Sequence, residues 1–294
     1  MVFNEAEDTF FQVKKTLNCN GRLLDLSTPA VMGILNFTPD SFYDGGRLNN
    51  DQSIINTIES MISAGVDIID IGGQSTKPGS TRISSADEWK RVSGPLQLIR
   101  KQFPGIIISI DTFYSEVAKN AIEEGVSIIN DISAGEFDSN MHSLVASKKI
   151  PYVLMHMKGE PKTMQENPQY DNVTEEVLQF FIHKVHRLKE MGIVDVILDP
   201  GFGFGKNVNH NYELLRNLSL LKMIGHPILA GISRKSMITK VLQVKPQDAL
   251  TGTVALNTIA LLNGASILRV HDIKEANDVR KIVEQYLLVE NRKS

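Results

Sequence analysis

Ile197-Leu198-Asp199-Pro200-Gly201-Phe202-Gly203-Phe204-Gly205-Lys206 joins two kinds of sequence that meet repeatedly along this 294-residue chain. The aliphatic run from Ile193 to Leu198, interrupted only by Asp195, has the composition of a buried strand and stops on one carboxylate. A proline and three glycines in the next six residues then disfavour strand and helix alike. A single junction of this kind is an ordinary Asp-Pro turn. Its recurrence decides the fold.

Eight apolar runs follow the same plan. Residues 30–35 end on Asn36, 66–69 on Asp70, 106–110 on Asp111 and 126–129 on Asn130. Residues 152–155 end on His156, the run above on Asp199, 228–232 on Ser233 followed by Arg234 and Lys235, and 265–268 on Arg269 followed by His271. Proline and glycine introduce them in alternation, from Pro29 and Gly65 to Pro227 and Gly264. Helical periodicity fills the gaps. Residues 51–64 place Ile54, Ile58, Met61 and Ile62 on one face, residues 173–191 do the same with Val177, Phe181, Val185 and Leu188, and a last helix starts at Ile273. Weaker helical segments lie at 84–102, 113–124, 138–148, 208–224 and 235–262.

Apolar strands alternating with amphipathic helices predict a parallel sheet covered by helices. Eight such units at this length predict an α/β fold, the closed (β/α)8 barrel; a doubly wound open sheet is the alternative, though no linker splits the chain in two. One domain is expected over residues 1–294. Its first 28 residues, with Phe11 alternating with Val13, Leu24 with Leu26, and Asn20-Gly21 between, predict a hairpin plugging one barrel end.

With 42% hydrophobic residues and 31 basic against 34 acidic side chains, nothing in the overall balance favours nucleic acid or an anionic membrane. The lone Cys19 excludes a disulfide framework and a cysteine metal cage. No apolar run approaches membrane-spanning length, and the opening residues lack the basic start and apolar block of a signal peptide. A cytoplasmic protein is expected.

In a barrel the C-terminal strand ends share one face. The polar residues closing the runs, Asn36, Asp70, Asp111, Asn130, His156, Asp199, Ser233 with Lys235, and Arg269 with His271, are therefore expected around one pocket. Asp70 and His156 are the members expected to serve structure. Without a Ser-His pair or a His/Cys cluster, nucleophilic hydrolysis and zinc are disfavoured. Asp, Asn and Asp suit a flat heterocycle with adjacent donors, since a carboxylate accepts two parallel hydrogen bonds. Lys77, Arg269 and His271 suit an anion such as phosphate or diphosphate. The neutral oxygen of Asn36 suits magnesium carried on substrate phosphates.

The loops themselves resemble a known family. Met32-Gly-Ile-Leu-Asn36-Phe-Thr-Pro-Asp-Ser-Phe42, Asp70-Ile-Gly-Gly-Gln-Ser-Thr76-Lys-Pro78-Gly79, Asp199-Pro-Gly-Phe-Gly-Phe204-Gly-Lys206, Ser233-Arg-Lys235-Ser236 and Arg269-Val-His271 resemble dihydropteroate synthase, the folate-pathway target of sulfonamides, in order from about residue 23 to 290. The resemblance implies a homodimeric transferase joining 7,8-dihydropterin-6-ylmethyl diphosphate to 4-aminobenzoate with release of diphosphate. It implies pterin binding by Asp111, Asn130, Asp199 and Lys235. Diphosphate and Mg2+ would lie at Asn36, Arg269 and His271, with Asn36 the metal ligand and Lys77 assisting. The aminobenzoate pocket would comprise Phe42, Thr76, Pro78, Phe204, Lys235 and Ser236, built by loops near residues 37–50 and 73–84. Lys235, Asp111, Asp199, Arg269 and His271 would be the catalytic set.

Gln74 and Lys77 depart from the family pattern, which has Glu and Arg there; a lysine offers a compact charge where arginine offers a planar fork. Two rival readings are a pterin-binding methyltransferase domain, which would share Asp111, Asn130 and Asp199 but has no use for a diphosphate site, and a non-catalytic pterin-binding barrel, which would have lost the loop motifs.

Overall fold

The computed structural model describes residues 12–38, 50–75, 79–160 and 163–290. Phe11, one of the expected hairpin residues, lies outside them. Strands β1 (Thr16–Cys19) and β2 (Arg22–Asp25) form an antiparallel hairpin. Asn20 and Gly21 turn it with φ of 56° and 85°, the left-handed pair that suits a two-residue loop to the twist of its strands.

Eight parallel strands follow: β3 (Ala30–Asn36), β4 (Ile68–Gly72), β5 (Ile107–Asp111), β6 (Ile128–Asp131), β7 (Tyr152–Met155), β8 (Val196–Asp199), β9 (Leu229–Ala230) and β10 (Ile267–Val270). They pair in the order β8-β7-β6-β5-β4-β3-β10-β9. The two ends of that ladder meet where Leu198 bridges to Ile228, its amide donating to the Pro227 carbonyl at 2.8 Å. The expected barrel forms and the open sheet does not.

Helices α1 (Asp51–Ser63), α2 (Ser85–Gln102), α3 (Ser115–Glu123), α4 (Met141–Lys148), α5 (Val173–Glu190), α6 (Val208–Arg216), α7 (Ser236–Leu242), α8 (Leu250–Leu262) and α9 (Ile273–Glu290) flank the strands. Two expected helical segments are subdivided. After Arg216 the backbone tightens into a 3-10 helix, Leu218–Ile224, and Gln243, at φ 54°, ends α7 in left-handed backbone before α8 begins.

Side chains alternate across each strand, and the alternation sorts the core in two. Val31, Ile69, Ile71, Ile108, Ile110, Leu154 and Leu198 face outward into the layer shared with the helices. Met32, Ile68, Ile107, Ile128, Val153, Ile197, Leu229 and Ile267 face inward and pack against Leu17, Cys19, Leu24 and Leu26 of the hairpin segment, which plugs that end of the barrel as expected. Lys14 fastens the plug by pairing with Asp195, whose other oxygen accepts from the Asn18 amide at 3.3 Å.

Stepping two residues along the same faces brings in Asp70, Ser109, Asn130, Asp199 and Arg269 on five of the eight strands. Asp70 does not close its strand: β4 runs on to Gly72, because Ile71 still packs outward on the helices. Likewise β10 continues through Arg269 to Val270. Both residues therefore sit one layer deeper than the run ends implied.

Candidate active site

That deeper layer is organised by one guanidinium. Arg269 Nε donates to Asp70 Oδ2 at 2.7 Å and its Nη2 donates to Asp111 Oδ2 at 2.7 Å, spanning strands that the sequence separates by 199 and 158 residues. Asn130 Nδ2 donates to the same Asp70 oxygen at 3.0 Å. Burial opposes the Arg269 charge, but Asp70 and Asp111 more than restore it, so the group stays ionised. Asp111 responds the other way: burial pushes its carboxyl up, Arg269 draws it back, and the carboxylates of Asp70, Asp131 and Asp199 push it up again. Asp70 thus has the structural part expected of it, holding Arg269 and Asn130.

At the mouth, Asn36, Gly72, Asp111 and Asn130 stand level on adjacent strands. A Cβ on Gly72 would come within 2.8 Å of Asn36 Oδ1, so only glycine leaves that carboxamide its place. Opposite, Asp199 accepts from the Gly201 amide at 2.8 Å. Burial raises its carboxyl pKa, against the pull of Lys235 and of that amide. Lys235 Nζ donates to the Phe202 carbonyl at 2.5 Å and lies 4.7 Å from the Phe204 ring centroid. Its pKa falls to about 8, first through burial and then through Arg269, with Asp199 opposing. Phe113, Ile132 and Met155 form an apolar floor beside Phe204.

On the rim, Ser233 Oγ bonds His271 Nδ1 at 3.0 Å. His271 is held neutral, its pKa below the ordinary value, by crowding and by Arg269 and Arg234; since the residue is solvent-exposed, the two guanidiniums are the more durable cause. Arg234 itself is turned away, paired with Asp272. Ser236 is exposed at the start of α7.

The structure therefore gathers Asp111, Asn130, Asp199, Lys235 and Arg269, with Asn36, His271, Phe204 and Ser236 around them. His156 leaves the ring: it packs edge-on against Phe180 and bonds Lys206, a structural place as expected. Phe42, Thr76, Lys77 and Pro78 lie outside the described residues. Gln74 is placed, and its Oε1 accepts from the Ile83 amide at 2.8 Å while the Tyr114 hydroxyl donates to the Ile83 carbonyl at 2.6 Å. Gln74 thus closes the base of its own loop through a bond that a glutamate oxygen would accept equally well.

Three buried groups escaped the sequence reading. Asp131 accepts from Ser133, Gly135 and Tyr152, ordering the turn after β6; as the outward neighbour of Asn130 it faces away from the mouth. Glu88 is fully buried, and its place four residues before Val92 and eight before Leu96 on the α2 stripe was the signal available. Burial pushes its carboxyl up to about 8. Lys206 is 1% exposed, although it stands in a loop.

A family model described as pterin binding enzyme matches residues 32–271. The dihydropteroate synthase of Escherichia coli K12 is 44% identical over 279 residues, 94% of this chain and 98% of that protein. Among solved structures, the Yersinia pestis dihydropteroate synthase in complex with a sulfonamide drug superposes with a TM-score of 0.88 at 43% identity, covering 92% of this chain and 98% of that one. The Xanthomonas albilineans dihydropteroate synthase with 4-aminobenzoic acid does so with a TM-score of 0.86 at 36% identity, covering 94% and 99%. Site geometry, sequence and fold agree: the chain belongs to the pterin binding enzymes, in the dihydropteroate synthase family.

Proposed function

We propose that the chain condenses 7,8-dihydropterin-6-ylmethyl diphosphate with 4-aminobenzoate to give 7,8-dihydropteroate and diphosphate. The observation that carries this reading is the convergence of polar groups on one mouth: Asp111 and Asn130 level on adjacent strands, and opposite them Asp199 beside Lys235, which lies over Phe204. The two carboxylates and the amide match the ring and amino donors of a pterin. Lys235, with a pKa near 8, bridges the ring edge and the second substrate. Phe204 supplies a flat face for the aniline, with Ser236 beyond it, and Phe42, Thr76 and Pro78 are proposed to complete that pocket.

In the reaction the methylene C–O bond to diphosphate breaks and the aniline nitrogen forms the new C–N bond, releasing its proton to solvent. Electron release from the dihydropterin supports positive charge at the methylene carbon, so no strong base is needed. Stabilising the departing anion is then the main task. Arg269 still has Nη1 to offer beyond its two carboxylates, since Nε and Nη2 face Asp70 and Asp111. His271, neutral, offers a hydrogen bond, and Lys77 is proposed to add charge.

The donor set fits Mg2+ in a limited way. The Asn36 carboxamide makes no side-chain hydrogen bond among the described residues, and no three of their His, Cys, Asp or Glu side chains are grouped to hold a metal. Asn36 would hold the ion together with substrate diphosphate oxygens. When bound, it would neutralise charge on the leaving group.

A homodimer is proposed on the apolar face left by α8 and α9, where Ile259 and Leu262 are exposed beside Ile282, Tyr286 and Val289 at helical spacing. No helix among the described residues is long and apolar enough to cross a membrane. A reducing, cytoplasmic setting is proposed from the lone cysteine, Cys19, which is free. The deciding experiment measures diphosphate release with each substrate omitted in turn. Release that depends on both supports the synthase, and pterin binding without release supports a binding barrel.

A further inference from the structure

We infer that Lys206 is a positioning residue: it holds the loop from Asp199 to Lys206 from beneath and so sets where Phe204 stands for the second substrate, an inference that rests on the reaction proposed above. Its Nζ donates to the Gly201 carbonyl at 3.0 Å and the Phe204 carbonyl at 3.1 Å. It also lies 3.0 Å from His156 Nδ1 and 3.4 Å from the His156 carbonyl. Among the described residues no carboxylate is hydrogen-bonded to it; a buried amine is spent on carbonyls and one imidazole.

Accounting for the loop's backbone shows why. The Gly201 amide goes to Asp199, the Gly203 amide to Asn211 Oδ1 at 2.7 Å, and the Phe204 amide to the Gly201 carbonyl at 3.0 Å. The Phe202 carbonyl goes to Lys235 and the Gly203 carbonyl to Gln165. The carbonyls of Gly201 and Phe204 bracket the aromatic segment, and each takes Lys206 as its side-chain donor, that of Gly201 alongside the Phe204 amide. The loop also presses close on the chain after β7: a Cβ on Gly201 would meet the His156 carbonyl at 1.9 Å, and one on Gly205 would meet the Lys158 carbonyl at 2.2 Å. Two amines therefore grip one loop, Lys235 from the pocket and Lys206 from below. Burial, reinforced by Lys235, brings the Lys206 pKa down to about 7.

Steady-state kinetics of Lys206→Met test the inference. The KM for 4-aminobenzoate should rise roughly tenfold, the scale of one lost charge-assisted contact, while the KM for the pterin diphosphate moves by less than about twofold. Amide exchange should accelerate in residues 199–206 and stay unchanged in β3 to β5. In Lys206→Ala, propylammonium should restore the aminobenzoate KM and propanol should not. Should the Met variant not fold, His156→Leu, which removes one acceptor, should shift the same KM in the same direction by a smaller factor. Unchanged KM values, equal changes for both substrates that merely track a lower melting temperature, or equal rescue by propanol would overturn the inference. If the wild-type chain makes no dihydropteroate, the proposed reaction fails, and amide exchange alone then decides the role of Lys206.

Discussion

At the hairpin end of the barrel, Met32, Ile68, Ile107, Ile128, Val153 and Ile197 point inward and meet only other apolar side chains. Two residues further along four of these strands the inward positions hold Asp70, Ser109, Asn130 and Asp199, and one layer later Asp111 stands at the mouth. The first end is stable by packing, since each buried side chain removes apolar surface from water. The second buries charge that Arg269 of the eighth barrel strand, β10, compensates at Asp70 and Asp111 and Lys235 compensates at Asp199, and among the described residues it leaves Asp70 Oδ1 and Ser109 Oγ without partners. Unsatisfied buried polar atoms weaken a fold. The contrast teaches that stability resides at one end, and that the other is built for ligand contacts at the expense of stability.

Removing the Arg269 cation should break the contrast most severely. Arg269→Met leaves Asp70 and Asp111 buried without compensation, which is expected to cost roughly 3 to 5 kcal/mol near pH 8 and to abolish turnover. The carboxyl of Asp111 already has its pKa raised by burial, and without Arg269 it rises further. A raised carboxyl pKa makes stability fall as pH rises, so the deficit should shrink at pH 5, and Asp70→Asn in the same chain should recover part of it without activity. Denaturant titrations at the two pH values check this. An Arg269→Met variant as stable as the wild type at pH 8 would mean the carboxylates are not charged in the fold.

The opposite end should show stability loss alone. Leu17→Ala empties a fully buried hairpin position, an expected loss of roughly 2 to 4 kcal/mol. Both substrate KM values should stay at their wild-type level below the melting temperature. A KM shift from so far below the mouth would show that the two ends are coupled.

Asp199→Asn should do the reverse of Leu17→Ala. An amide presents a mismatched donor where the pterin offers its own, and leaving one partner unpaired is expected to weaken pterin binding by roughly 1 to 3 kcal/mol. Calorimetry with a pterin ligand measures it, and unchanged affinity would remove Asp199 from the binding edge.

These residues also mark how far sequence alone reaches. The strands were legible because fully buried parallel strands are continuous apolar runs, and the pocket because each run ends in a polar residue. Where a strand ends was less legible: Ile71 and Gly72 carry β4 past Asp70, and periodicity contains no signal for that depth. The Arg269 pair with Asp70 depends on barrel closure across 199 residues, which local pattern does not encode. Lys206 was not singled out, because composition cannot say that a loop folds its carbonyls over a side chain. The division of segment 235–262 turned on one left-handed residue, Gln243, which no glycine announced.

The smallest expected effect concerns Glu88, a buried carboxyl just outside the mouth, and it sharpens the contrast by asking whether neutral polar burial is tolerated there. Among the described residues neither oxygen has a hydrogen bond of good geometry, and although the Thr112 hydroxyl eases the charge, burial and Asp111 push the pKa from 4.5 to about 8. At pH 7 the folded chain therefore holds a proton on Glu88 that the unfolded chain has released. Stability from this group is full below pH 4.5 and is lost as pH rises toward 8, by about 1.4 kcal/mol per pH unit. Glu88→Gln fixes the neutral form and has no such slope. Between pH 4.5 and 7 the variant should gain on the order of 2 to 3 kcal/mol relative to wild type, while its unpartnered amide costs roughly 1 to 2 kcal/mol at every pH. The net should be a variant less stable at pH 4.5 and more stable by about 1 kcal/mol at pH 7, with the curves crossing between. Thermal melts at pH 4.5, 6 and 7 check the crossing. A difference that stays constant across that range would mean Glu88 is ionised in the folded protein, and that the mouth compensates buried charge more widely than through Arg269 and Lys235 alone.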